Sequence, residues 1–194
     1  MDELLQRIRE CGLDTRNYAP EELLGEGGYS VVFVHLDPSL ALKVTTCPVS
    51  IALLSRLMLA PREDFVRVLD KVELGHLGPS APATAFVVER LDLPAPDACS
   101  EVAPAAIAAA KLARAGAARA PRRNTPEYIA FNVRYCRGLA AEDPARREAW
   151  EFLADFVEEL ANPRLSVDVL TEGNLLARSG TLVVSDPIRQ VWYP

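Results

Sequence analysis

The most constraining stretch of the chain runs from Leu23 to Val44 and reads LLGEGGYSVVFVHLDPSLALKV. A glycine cluster, Gly25, Gly27 and Gly28, precedes an apolar run from Val31 to Val34. Asp37-Pro38-Ser39 then separates that run from a second one, Leu40 to Val44, which holds a single lysine, Lys43. Two apolar runs joined by a short Asp/Pro/Ser turn predict a β-hairpin. Glycines just ahead of the first strand let a bound group approach the backbone and leave amide hydrogens open to anionic oxygens. A lysine inside an apolar strand is costly to bury unless something pairs with it. On these residues alone the hairpin is either a phosphate-covering loop or a polar tip above a core strand, with Lys43 reaching out to water.

The rest of the chain decides what this hairpin belongs to. Asp2 to Cys11 has Leu4, Leu5 and Ile8 at helical spacing and is stopped by Gly12. Ile51 to Leu59 is an apolar segment expected to form a short buried helix. Phe65 to Leu74 and Ala85 to Leu93 read as two further strands around a Gly/Pro/Ser loop, Gly75 to Pro82. Pro94 to Glu101 reads as a linker, and the alanine-rich segment Ala105 to Ala120 as a helix. Thr125-Pro126 starts a helix that runs to about Arg137 and stops at Gly138. Asp143-Pro144 starts the next in the same way. Its apolar face is Ala149, Leu153, Phe156, Val157 and Leu160, flanked by Trp150 and Phe152, and Asn162-Pro163 ends it. Leu175 to Ala177 and Leu182 to Val184 form a second hairpin around Ser179-Gly180, with Asn174 before it and Asp186 after it. An amide and a carboxylate at a hairpin mouth suit a hard, oxygen-loving cation such as Mg²⁺.

In this order the pieces resemble the protein kinase family, whose pattern is G-x-G-x-x-G-x-V followed by a V-A-I-K strand. Gly25, Gly27 and Val32 fall on that pattern, Tyr29 stands where an aromatic is usual, and Ser30 replaces the third glycine. Ala41-Leu42-Lys43 matches the lysine strand. Glu172-Gly173-Asn174 and Ser185-Asp186-Pro187 are similar to the DLHxGN-type loop and TDP-type ending of a small kinase-like family of bacteriophages. The resemblance extends from about Leu23 to Pro187.

This resemblance implies an α+β, protein kinase-like two-lobe fold. Residues 1–93 would form a small lobe with an antiparallel sheet and an N-terminal helix. Residues 94–194 would form a truncated, mostly helical large lobe carrying the catalytic-loop-like hairpin. It implies ATP and Mg²⁺ as cofactors and a Ser/Thr hydroxyl on a protein as acceptor. Gly25, Gly27 and Gly28 would cover the phosphates, and Lys43 would pair with the α/β-phosphates. The backbone of Glu89 and Leu91 would meet the adenine. Asn174 and Asp186 would hold the metal, and Asp168 would orient the hydroxyl as catalytic base.

Three departures support a different outcome. The family's helix glutamate, which pairs with the strand lysine, has no counterpart, because no acidic residue lies between Thr45 and Ala60. Glu63 and Asp64 follow only after Pro61, which leaves Asp186 or ligand phosphates as partners for Lys43. The family's aspartate lies five positions before the asparagine, where this chain has Val169; Asp168 is one residue early. Only Pro187 to Pro194 follow Asp186, too few for the family's substrate-docking helices. The alternative is therefore a pseudokinase that binds and regulates a partner protein. A small-molecule kinase of the aminoglycoside or choline type shares the Asp-Pro ending. It ranks third, because the larger helical insertion that forms its substrate pocket is missing.

Composition narrows the setting. The 194 residues are 49% hydrophobic and 25% charged, as in a globular protein with a sizeable core. A net charge of -6 argues against a general nucleic-acid binder; the basic cluster at Arg122-Arg123 could touch nucleic acid or an acidic protein, but a solvated helix face and loop is the better reading. No apolar run approaches the roughly 20 residues of a membrane span, and MDELLQRIRE is too charged for a signal peptide. Cys11, Cys47, Cys99 and Cys136 are scattered without a CxxC pair, which suggests reduced thiols and a cytoplasmic protein. For a phage-encoded chain that would be the host cytoplasm.

Overall fold

The computed structural model describes residues 6, 10, 18–26, 28–76, 82–93, 121–169, 174–179 and 181–190. The chain is α+β and divides into two compact units, Met1–Leu91 and Asp92–Pro194. Of the helix expected over Asp2 to Cys11, Gln6 and Glu10 are described. Both are helical and share a 3.2 Å side-chain hydrogen bond. The helix expected over Ala105 to Ala120 lies outside the described residues.

The first unit holds a five-stranded antiparallel sheet in the order β1-β2-β3-β5-β4. Its strands are β1 (Tyr18–Glu26), β2 (Ser30–His35), β3 (Leu40–Thr45), β4 (Val68–His76) and β5 (Pro82–Glu89). The turn between β2 and β3 is built by Asp37, whose Oδ1 accepts from the Ser39 N–H at 2.8 Å and the Ser39 hydroxyl at 2.6 Å. These bonds hold the Asp37 carboxyl below its ordinary range. Strand β1 was not expected: Pro20 and three glutamates argue against a strand there. It forms at the sheet edge, and Pro20 falls within a register shift between Ala19 and Leu23, where a missing N–H is tolerated.

The two later strands are displaced from their expected limits. β4 begins at Val68, because Phe65 and Val66 are buried in the connection leaving the preceding helix. It continues past Leu74 through Gly75, whose φ of +65° accompanies a second register shift. β5 ends at Glu89, after which the Arg90 N–H donates to the Ser39 carbonyl at 2.8 Å. One face of the sheet carries the apolar cluster of Phe33, Leu42, Val44, Leu74, Ala83 and Ala85. The helix α1 (Pro48–Leu59) buries Val49, Leu53, Leu54 and Leu57 and packs against β4.

The second unit contains α2 (Pro126–Glu142), a 3-10 turn (Pro144–Arg146) and α3 (Arg147–Leu160). Four short strands follow: β6 (Leu165–Val167), β7 (Leu175–Arg178), β8 (Thr181–Val184) and β9 (Ile188–Gln190). They pair as β6 with β9 and β7 with β8. Helix α2 does not stop at Gly138. It continues to Glu142, because Leu139 and Ala140 are buried, and packing outweighs a single unfavourable glycine. Thr125 does occupy the N-cap position, but its hydroxyl donates to the Arg122 carbonyl and accepts no cap bond from a helix N–H. Asp143 does not cap α3 either. It is 4% exposed, pairs with Arg146 Nη1 at 3.3 Å and accepts from Trp150 Nε1 at 3.0 Å. Trp150 and Phe152 are therefore core residues rather than flanks. Among the described residues no helix is long and apolar enough to cross a membrane.

Candidate functional site

In the first unit, strand register brings Gly25 and Lys43 into one row. Gly25 pairs with Val32, Val32 with Lys43, and Lys43 with Phe86. Cross-strand partners share a face, so this row lies on the face opposite the Phe33–Leu42–Val44 cluster. Lys43 is 7% exposed, so it does not project into water as a tip lysine would. The turn ahead of β2 is pinned to the end of β3. The Tyr29 carbonyl accepts from the Thr46 N–H at 2.9 Å and from the Thr45 hydroxyl at 3.1 Å. Ser30, at the position of the family's third glycine, donates its hydroxyl to Thr45 Oγ1 at 2.8 Å. The serine therefore fastens the turn instead of loosening it.

Gly25 and Gly28 are exposed, and a Cβ added at either would meet nothing within 4 Å. Chain packing places no demand for glycine at these two positions. Gly27 lies outside the described residues. At the end of β5, the Glu89 N–H donates to the Arg67 carbonyl at 3.0 Å, and its carboxylate accepts from the Arg67 N–H at 2.7 Å. With the Arg90 amide bonded to Ser39, the amides of Glu89 and Arg90 are committed within the unit; Leu91 follows them. Helix α1 contains no acidic residue, so it supplies no carboxylate for Lys43.

In the second unit, Asp168, Asn174 and Asp186 are brought together by a closed circuit of hydrogen bonds. The Asp168 N–H donates to the Pro187 carbonyl at 2.7 Å, extending the β6–β9 ladder by one step. The Ser185 N–H donates to the Asn174 carbonyl at 2.9 Å, extending the β7–β8 ladder likewise. Asp186 is the residue between these two bonds. The circuit is closed by Asn174, whose side-chain amide donates to the Asp168 backbone carbonyl. A carbonyl demands a donor, so Nδ2 faces it and Oδ1 is turned away, available as an oxygen ligand. Glu172 and Gly173 lie outside the described residues.

The circuit rests on α2. Asn132 is 3% exposed; its Nδ2 donates to the Leu165 carbonyl at 3.1 Å, and its Oδ1 accepts from the Val167 N–H at 3.2 Å. One side chain thus fixes β6 just before Asp168. Tyr128 adds a 3.2 Å bond from its hydroxyl to Ser166 Oγ. Sequence reasoning missed Asn132 and Tyr128, although a polar Asn one helical turn after an aromatic, on the buried stripe, was the available signal.

Val169, the residue five positions before Asn174, is 2% exposed and apolar. Asp168 has a carboxylate with 15% of its side chain exposed, 3.3 Å from Arg189 Nη1. Nearby, burial first, then Cys136 and the charge of Asp168, push the Tyr135 hydroxyl up to about 12. Burial also pushes the Cys136 thiol up. Cys47 and Cys136 are buried thiols. Among the described residues no group of three or more His, Cys, Asp or Glu is placed to hold a metal. No protein-family model matches the chain, and no curated protein sequence matches it.

Proposed function

We propose that the chain is a two-lobe, protein kinase-like phosphotransferase that uses ATP and Mg²⁺ to phosphorylate a Ser/Thr hydroxyl of a protein. The observation that carries this reading is the hydrogen-bond circuit that joins the segments of Asp168, Asn174 and Asp186. The Gly25–Val32–Lys43 row, with two glycines that packing does not require, supports it from the first unit. Gly25 and Gly28 leave room for phosphates to approach the backbone. Lys43 supplies the buried cation for the α/β-phosphates, and the backbone around Leu91 meets the adenine. Asn174 Oδ1 and the Asp186 carboxylate are two oxygen donors. That set fits Mg²⁺, which keeps several waters and takes its remaining ligands from phosphate. The metal's contribution is to neutralise phosphate charge. Asp168 accepts the proton of the substrate hydroxyl.

The residue count that set Asp168 one position early has a physical resolution under this reading. The loop between it and Asn174 carries one extra residue, and the Asn174 amide still reaches the Asp168 carbonyl. The base is then Asp168, and Val169 is core.

Two observations favour a second reading, a pseudokinase that regulates a partner protein: the absence of an acid from α1, and the engagement of the Asp168 carboxylate by Arg189. Incubation with labelled ATP and Mg²⁺, beside Lys43→Ala and Asp186→Ala, decides between them. Label incorporated by the wild type and lost in both variants establishes transfer. No incorporation, with a nucleotide-induced rise in melting temperature, establishes a binding module. Neither signal at millimolar nucleotide defeats the transferase and any pseudokinase that holds a nucleotide, and leaves only one that captures its partner without it.

A further inference from the structure

Arg189 lies in β9, beside the end of β6 that leads into Asp168. The β6–β9 ladder sets Arg189 opposite Ser166, and the next step sets Pro187 opposite Asp168. Arg189 and Asp168 are therefore diagonal neighbours on one face of a two-stranded ribbon, within reach of each other. The guanidinium meets Asp168 Oδ2 through Nη1 at 3.3 Å, with 54% of the Arg189 side chain open to solvent. A guanidinium has five N–H donors in a planar fork that matches phosphate oxygens two at a time. A solvated pair of this kind is a weak contact. It also sits where a carboxylate intended to accept a proton is occupied by a cation.

The surroundings define a better ligand for that fork. Under the nucleotide reading the terminal phosphate arrives beside two acidic residues, Asp168 and Asp186, where a guanidinium would add to the charge that the metal offsets. We propose that Arg189 transfers its guanidinium from Asp168 to the terminal phosphate of a bound nucleoside triphosphate. The move recognises the triphosphate through the guanidinium fork. This proposal rests on the nucleotide reading above and adds to it a discrimination between triphosphate and diphosphate. Charged, bidentate bonds of this type are strong enough to change affinity by about tenfold or more.

The test is calorimetric titration of the full chain with Mg-ATP and with Mg-ADP, for the wild type, Arg189→Gln and Arg189→Lys. Melting temperatures without nucleotide verify that each variant folds. The wild type is expected to prefer ATP by about tenfold or more. Arg189→Gln is expected to lose that preference by weakening ATP alone, and Arg189→Lys to regain part of it. Equal weakening of ATP and ADP in Arg189→Gln, or no change in either, would overturn the proposal while leaving nucleotide binding intact. A wild type that binds neither nucleotide defeats the nucleotide reading itself, and this proposal with it.

Discussion

The side-chain amide of Asn174 donates to the backbone carbonyl of Asp168, six residues earlier. This one bond ties the end of one two-stranded ribbon to the end of the other and turns the amide oxygen outward. Asn174→Asp replaces the donor with a carboxylate facing a carbonyl. Under the proposed function, phosphoryl transfer from labelled ATP is expected to fall by at least about tenfold, with about 1–3 kcal/mol lost in chemical denaturation. Transfer at the wild-type rate would detach the bond from function.

Gly25→Ala and Gly28→Ala separate ligand from fold. Open space surrounds both positions, so denaturation midpoints are expected to hold or rise, by up to about 1 kcal/mol, because the unfolded chain loses freedom. Nucleotide-induced thermal shifts should nonetheless shrink. A fall in intrinsic stability with an undiminished nucleotide shift would reverse the assignment.

Gly75 presents the opposite case. Its φ of +65° lies at a register shift in β4. Gly75→Ala forces an L-residue into the left-handed region at about 1–2 kcal/mol. Urea unfolding reads this directly, and an unchanged midpoint would mean that the bulge relaxes.

Asp143, Arg146 and Trp150 form a buried polar knot at the junction of α2 and α3. Asp143→Ala takes the buried carboxylate away from Arg146 Nη1 and Trp150 Nε1, and about 3–5 kcal/mol of stability should be lost. Trp150 fluorescence should report the change. A loss below about 1 kcal/mol would mean that solvent reaches Arg146.

Tyr135 supplies a pH signature. Its folded-state value is raised from 10.0 to about 12. Stability from this group is complete below about pH 10 and is lost as pH rises from there to about 12, where the unfolded chain ionises first. Tyr135→Phe should flatten that alkaline slope. An identical slope in the variant would assign it to other groups.

Both hairpins were legible because their turns are local chemistry. The Asp37 side chain bonds Ser39 two residues away, and Ser179 takes a φ of 51° beside Gly180. Asn174 and Asp186 were legible as the residues flanking one hairpin. What escaped was long-range. Asn132 is one polar residue in a helix until β6 arrives 33 positions later to use it. The end of α2 was misplaced because Gly138 speaks for local propensity, while Leu139 speaks for a neighbouring helix not yet known. Strand β1 was hidden by Pro20, whose cost disappears only when the strand is known to lie on the outside.

That outermost position has a further consequence. A strand from a second molecule approaching β1 would find its lattice of donors and acceptors out of phase at two places, and one donor absent at Pro20. Edge-to-edge growth of the sheet therefore has no continuous template on that side. The same irregular margin that made the strand hard to read protects the folding chain against polymerising through it.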